Sequence, residues 1–167
     1  MKKLEAINGD KIRALTLDDF LSRALPYLIE GKIITGKPDE VEQVKKALPI
    51  IQERIARLKE VVPMLQFLFV EEIHFEDGNE EKLKESQTQV VLQSAISSLE
   101  KVSVWSHQEI ENALRAALLE EMGLKPRIAF GPVRIAITGS HISPPLFESM
   151  ELLGRERSMQ RLRAAIN

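Results

Sequence analysis

The chain has 167 residues, 44% of them hydrophobic and 29% charged, with a net charge of −2 and no cysteine. That length allows one compact domain or two small ones. The composition excludes disulfides and thiolate metal sites, suits the cytoplasm, and argues against a protein that coats nucleic acid indiscriminately.

No apolar run approaches the ~20 residues of a membrane span. The start, MKKLEAINGD, lacks an apolar signal-peptide core. The charge is unevenly spread. Glu71, Glu72, Glu76, Asp77, Glu80 and Glu81 form an acidic stretch with no lysine or arginine, whereas Lys125 to Arg163 holds seven basic residues against three acidic. Such asymmetry permits a local RNA-binding face on an acidic molecule; solvated arginines would give the same pattern.

Residues 1–15 read as one or two short helices around Asn8-Gly9. Thr16-Leu17-Asp18-Asp19 opens a helix with a capping hydroxyl and first-turn acids. Its buried stripe is Phe20, Leu21, Leu25, Leu28 and Ile29, and Pro26 should bend or break it. After a loop with Gly36, a helix from about Pro38 carries Val41, Val44, Ala47 and Leu48. Pro49 punctuates, and Ile50 to Val61 is expected to continue as helix with Ile51, Ile55 and Leu58 inward. Arg54 lies at the edge of that stripe, where an arginine either snorkels or turns its head to a partner.

Pro63 to Phe69 reads as a buried helix. The acidic stretch, ending in the turn Asp77-Gly78-Asn79, marks a boundary between two helical subdomains, 1–72 and 73–167. A single helix is expected from about Glu80 to Lys101, burying Val90, Val91, Ala95, Ile96 and Leu99. Ser106-His107-Gln108-Glu109 is a capping box, and Trp105 before it either staples over Ile110 or stacks on a base. The following helix ends near Met122-Gly123 and sets Arg115 beside its buried face. Val133 to Thr138 alternates like a strand around Arg134, whose head should emerge at a site because burying it unpaired is costly. Ser143-Pro144-Pro145 reads as a helix start with Ser143 at the cap, and Gly154 closes that helix. A last amphipathic segment carries Arg155, Arg157, Arg161 and Arg163.

The run PxRxAxTG…SPPLFExxxLLGRERxxxRLxxA, from Phe130 to Ala165, resembles the C-terminal end of bacterial, and within them actinobacterial, glutamyl-tRNA synthetases of class I. KKLEAINGDKIR resembles the family's KLxxxNxxxIR segment, and QERIARLKE its RPRxxxLKE segment, with Gln52 departing from the arginine usual there. The resemblance implies an all-α fold of two packed helical subdomains, and helix rather than strand across Val133–Thr138. It implies a fragment that grips the anticodon of glutamate tRNA and is attached to the catalytic N-terminal part of the same protein. Catalysis, with its ATP and Mg²⁺, belongs to that part. This fragment alone is expected to be no enzyme and to carry no cofactor.

The implied anticodon contacts are Arg54, Arg115, Arg134, Ser143 and Leu146. Lys3, Lys11 and Arg13 are possible contacts to the tRNA stem. In the family, an arginine matched by Arg54 accompanies acceptance of C and rejection of G at the third anticodon letter. Neither a Gly-rich phosphate loop nor a HIGH-type or KMSKS-type signature is present, and His74, His107 and His141 stand without metal-ligand spacing. No catalytic residue, metal, membrane or DNA partner is therefore expected. A free-standing helical protein–protein adaptor on the same fold is the alternative reading.

Overall fold

A computed structural model describes residues 2–166, with side chains described from Ala6 onward. Its described residues form helices and turns without strands, and the chain divides into two units, Met1–Glu71 and Glu72–Asn167.

In the first unit, α1 (Lys2–Arg13) runs unbroken through Asn8-Gly9, so of the one or two helices expected there is one. α2 (Leu17–Glu30) starts at Thr16, whose hydroxyl accepts from the Asp19 amide. It also continues through Pro26. That proline is exposed, so the carbonyl it leaves without a donor lies on the solvent side, where water can serve it. The same holds for exposed Pro49 within α3 (Pro38–Gln52). The stripe on α2 is narrower than expected, since Ile29 is exposed and Phe20, Ala24 and Leu28 form the buried face.

The expected helix over Ile50–Val61 is absent. The Gln52 amide donates to the Ile12 and Leu15 carbonyls at 2.9 and 3.0 Å, fixing the end of α3 against the end of α1. The Glu60 carboxylate accepts from the Ala56 amide at 2.9 Å, holding residues 53–57 as a turn. A short 3-10 turn (Leu58–Glu60) then leads into α4 (Val61–Leu65) and a second 3-10 turn (Gln66–Leu68). The expected Pro63–Phe69 helix is thus two shorter pieces. α2, α3 and α4 pack together around Phe20, Leu48, Ile51 and Leu65.

In the second unit, the expected Glu80–Lys101 helix is two, α5 (Asn79–Leu83) and α6 (Ser86–Leu99). The Gln89 amide explains the break, donating to the Leu83 carbonyl at the end of α5 and to the Ala165 carbonyl. Val90 is exposed rather than buried. α7 (His107–Leu114) starts at Ser106, whose hydroxyl accepts from the Glu109 amide, and runs into a π-helical segment, Arg115–Glu121.

α8 (Pro126–Thr138) takes in the stretch that alternates like a strand. Val133, Ile135, Ala136 and Ile137 are all buried, against α5, α6, α9 and α10, and packing overrides their weak helix preference. α9 (Leu146–Leu153) and α10 (Arg155–Ala164) complete the unit, joined at Gly154 with φ +87°. Among the described residues no helix is long and apolar enough to cross a membrane, and no cluster of metal-ligating side chains occurs.

Candidate nucleic-acid interface

Four of the five expected anticodon residues lie in the second unit, carried by the π segment, α8, the loop into α9 and the first residue of α9. Phe130 and Arg134 are four apart on α8 and so share a face. From that face an Arg134 Nη1–H donates to Ser143 Oγ at 2.5 Å and to the Pro144 carbonyl at 2.9 Å. Ser143 is buried, and its hydroxyl donates to the Pro144 carbonyl at 3.0 Å. It caps nothing: Pro145 occupies the cap position, and α9 begins one residue later at Leu146. The loop's interior polar bonding to Arg134 outcompetes the expected cap.

Leu146 is 3% exposed, so its apolar surface is spent inside the unit. Arg115, the first residue of the π segment, donates from Nε to Glu111 Oε1 at 2.6 Å, and its guanidinium lies 5.9 Å from the Phe130 ring centre. Phe130 meets Phe147 edge-on, with ring centres 5.4 Å apart. Two linked groups result: Arg115–Phe130–Phe147 and Arg134–Ser143–Pro144. Sequence reasoning missed Phe130 and Phe147; their signal was the four-residue step from Phe130 to Arg134 and the adjacency of Phe147 to Leu146.

Arg54 lies in the first unit, in the turn held by Gln52 and Glu60. It is exposed, its amide donates to the Ile51 carbonyl at 2.8 Å, and among the described residues its guanidinium has no partner. Buried Ile51 and Ile55 on either side anchor the turn that presents it. Of the possible stem contacts, Lys11 is exposed and lines an open groove with Arg23, Tyr27 and Arg57. Arg13 is paired with Asp10 at 2.5 Å. The side chain of Lys3 lies outside the described residues.

Of the basic surplus from Lys125 onward, Arg161 is buried, Arg134 and Arg157 are half-buried, and Lys125, Arg127, Arg155 and Arg163 are exposed. Arg161 is buried and donates to the Ile137 carbonyl at 2.7 Å. Burial, then the nearby charge of Arg157, push its pKa down to about 10, which leaves it charged at neutral pH. Arg155 donates to the Val102 and Glu100 carbonyls and lies over the Trp105 ring, and Arg163 pairs with Glu100. The Trp105 indole N–H donates to the Met150 carbonyl at 2.9 Å. Arg155, Arg161 and Arg163 thus brace this end of the chain, with Arg155 and Arg163 still exposed.

The model of the anticodon-binding domain family matches residues 19–166. The chain belongs to that family. The domain is 48% identical over 170 residues to a glutamate–tRNA ligase of Nocardioides sp., covering 99% of this chain and 35% of that protein. It is 45% identical over 168 residues to the glutamate–tRNA ligase of Saccharopolyspora erythraea, covering 99% of this chain and 33% of that protein. The domain thus spans about a third of the length of the curated relatives it matches, which are actinobacterial. In fold it is similar to a crystal structure of a glutamate tRNA ligase from Elizabethkingia meningosepticum, with TM-score 0.75 and 17% identity, covering 96% of this chain and 31% of that one.

Proposed function

We propose that the domain recognises the anticodon stem-loop of glutamate tRNA, as the C-terminal part of a cytoplasmic glutamate–tRNA ligase. The catalytic part of the same protein would use ATP and Mg²⁺ to charge that tRNA. The observation that carries this reading is the near-50% identity to glutamate–tRNA ligases along essentially the whole chain. Reading splayed bases calls for planar, permanently charged donors and faces on which bases can rest. Exposed Arg54 and the Arg115–Phe130–Phe147 group have that chemistry. Arg54, Arg115, Arg134, Ser143 and Leu146 are the proposed anticodon residues. Arg134, Ser143 and Leu146 contribute by shaping the surface as much as by touching RNA. Lys11, with Lys3 and Arg13, remains the proposed contribution to the stem.

The decisive experiment concerns Arg54. Glutamate and glutamine tRNAs differ at the third anticodon letter, C against G. The O2 and N3 acceptors of C suit a guanidinium, and the N1 and N2 donors of G oppose it. One bidentate base contact carries about 1–3 kcal/mol of discrimination in DNA grooves. Paired affinities for C-ending and G-ending stem-loops at one salt concentration should favour C. Arg54→Gln should narrow the gap about tenfold, on the same scale. Equal binding of both stem-loops by the unmutated domain, or an unchanged ratio in Arg54→Gln, removes Arg54 from that role.

A further inference from the structure

The loop from Gly139 to Pro145 carries Ser143 and leads into Leu146, and it is pinned from a segment some sixty residues earlier in the chain. Asn79 is 1% exposed, and its side-chain amide donates to the Gly139 carbonyl at 3.0 Å. The Glu76 amide donates to the same carbonyl at 3.1 Å. Beside it, Ser140 Oγ lies 2.7 Å from Glu76 Oε1 and 3.0 Å from the Ile142 carbonyl, and it accepts from the Ile142 amide at 3.0 Å. Thr138 Oγ1 is 2.8 Å from the Arg134 carbonyl and 3.1 Å from the Ser140 carbonyl, tying the loop back to the turn of α8 that bears Arg134.

Gly139 makes the approach possible. Its φ is +79°, and a Cβ there would stand 2.3 Å from the His74 carbonyl oxygen. A buried amide aimed at a loop carbonyl across so long a sequence separation is costly to leave unpaired and fixes both partners.

We propose that Asn79 and Glu76 are positioning residues for RNA recognition: they hold the 139–145 loop in the one arrangement in which Arg134 braces Ser143 and Pro144 and fixes the start of α9, the scaffold beneath the surface offered to RNA. This rests on the proposed binding of the anticodon stem-loop. Neither residue need touch the RNA. Their effect passes through the Gly139 and Ser140 backbone to the loop.

The test measures, for each variant, affinity for the glutamate anticodon stem-loop per folded molecule, together with amide hydrogen exchange of residues 139–143. Asn79→Ala should exchange faster in that loop and bind about fivefold more weakly, the scale of one lost hydrogen bond. Ser140→Ala removes only a half-buried hydroxyl and keeps the test open if Asn79→Ala folds poorly; it should shift both readouts in the same direction. Glu76→Ala should also weaken binding, and Glu76→Gln, which retains an acceptor for Ser140, should restore it. Faster loop exchange with unchanged affinity would overturn the proposal, leaving Asn79 a purely structural residue. Unchanged loop exchange in both Asn79→Ala and Ser140→Ala would overturn it as well. Failure of the unmutated domain to bind the stem-loop would instead defeat the proposed function, and the exchange data would still report whether the clamp exists.

Discussion

Arg134 and Arg54 show two different settings for an arginine, one in each unit of the chain. Arg134 is half-buried and holds Ser143 and Pro144, so removing it should disturb structure as well as recognition. Arg134→Ala should lower unfolding free energy by about 1–3 kcal/mol, the usual consequence of leaving buried acceptors unmet, and should weaken stem-loop binding. Urea denaturation and binding assays on the same sample check both. This replaces the expectation, natural from sequence, that its head simply emerges at a site. Arg54 is exposed and unpartnered among the described residues, so its loss should change recognition and leave stability nearly untouched.

A third residue gives a pH handle. The hydrogen bond between His107 Nδ1 and Glu151 Oε2, at 2.9 Å, raises the His107 pKa above its ordinary value, helped by the charges of Glu151, Glu148 and Glu111. A pKa raised in the folded state stabilises the fold in full below the ordinary imidazole pKa, and that contribution is lost as pH rises through the raised value. His107→Ala should therefore cost more stability at pH 5.5 than at pH 8.5. In an NMR titration Glu151→Gln should bring the His107 pKa down; an unmoved pKa would show that Glu151 is not its cause.

At the scale of elements, the legible features were those set by local chemistry. Thr16 and Ser106 declare their helix starts because a hydroxyl before an amphipathic run has few other uses. The illegible ones were decided by side chains reaching across the fold. Gln52 ends α3 by bonding to carbonyls some forty residues earlier, and Gln89 separates α5 from α6 while reaching Ala165. Nothing in the spacing around Pro49 or Lys84 announces either event. The strand-like alternation of Val133–Thr138 misled because β-branched residues mark a surface that fits burial, and in α8 the burial comes from helices. The π segment at Arg115 left no sequence signal that we can identify.

Of the candidate site, periodicity alone set Arg115 beside its buried face, whereas the turn that carries Arg54 and the link from Arg134 to Ser143 needed the fold. The most exacting element is the turn at Gly139. Gly139→Ala would force a non-glycine residue to φ +79° with its Cβ against the His74 carbonyl. Chemical denaturation should show a loss of at least about 2 kcal/mol, the scale of strain at such positions. A loss below half that would mean the His74 backbone yields.

For the whole molecule, the question is how a chain of net charge −2 would bind a polyanion as proposed. Its net charge gives it no long-range attraction, and of the α10 arginines Arg161 is buried, while exposed Arg155 and Arg163 are engaged with carbonyls and Glu100. The proposed binding would then rest on a few local cations, with Arg54, Arg115 and Lys11 among the proposed contacts. Few phosphate contacts imply a shallow salt dependence. For two or three contacts to a single-stranded loop, log K should fall against log salt with a slope of about −1.5 to −2. Raising salt from 50 to 200 mM should thus weaken binding only about tenfold. Preference for the glutamate stem-loop over an unrelated one should survive that change, because base contacts set it rather than the field. A slope several times steeper, with preference vanishing as salt rises, would describe a nonspecific cationic surface. Absence of binding even at low salt would favour the helical adaptor over an RNA reader. The titration uses the domain as it stands and separates all three outcomes by slope and preference together.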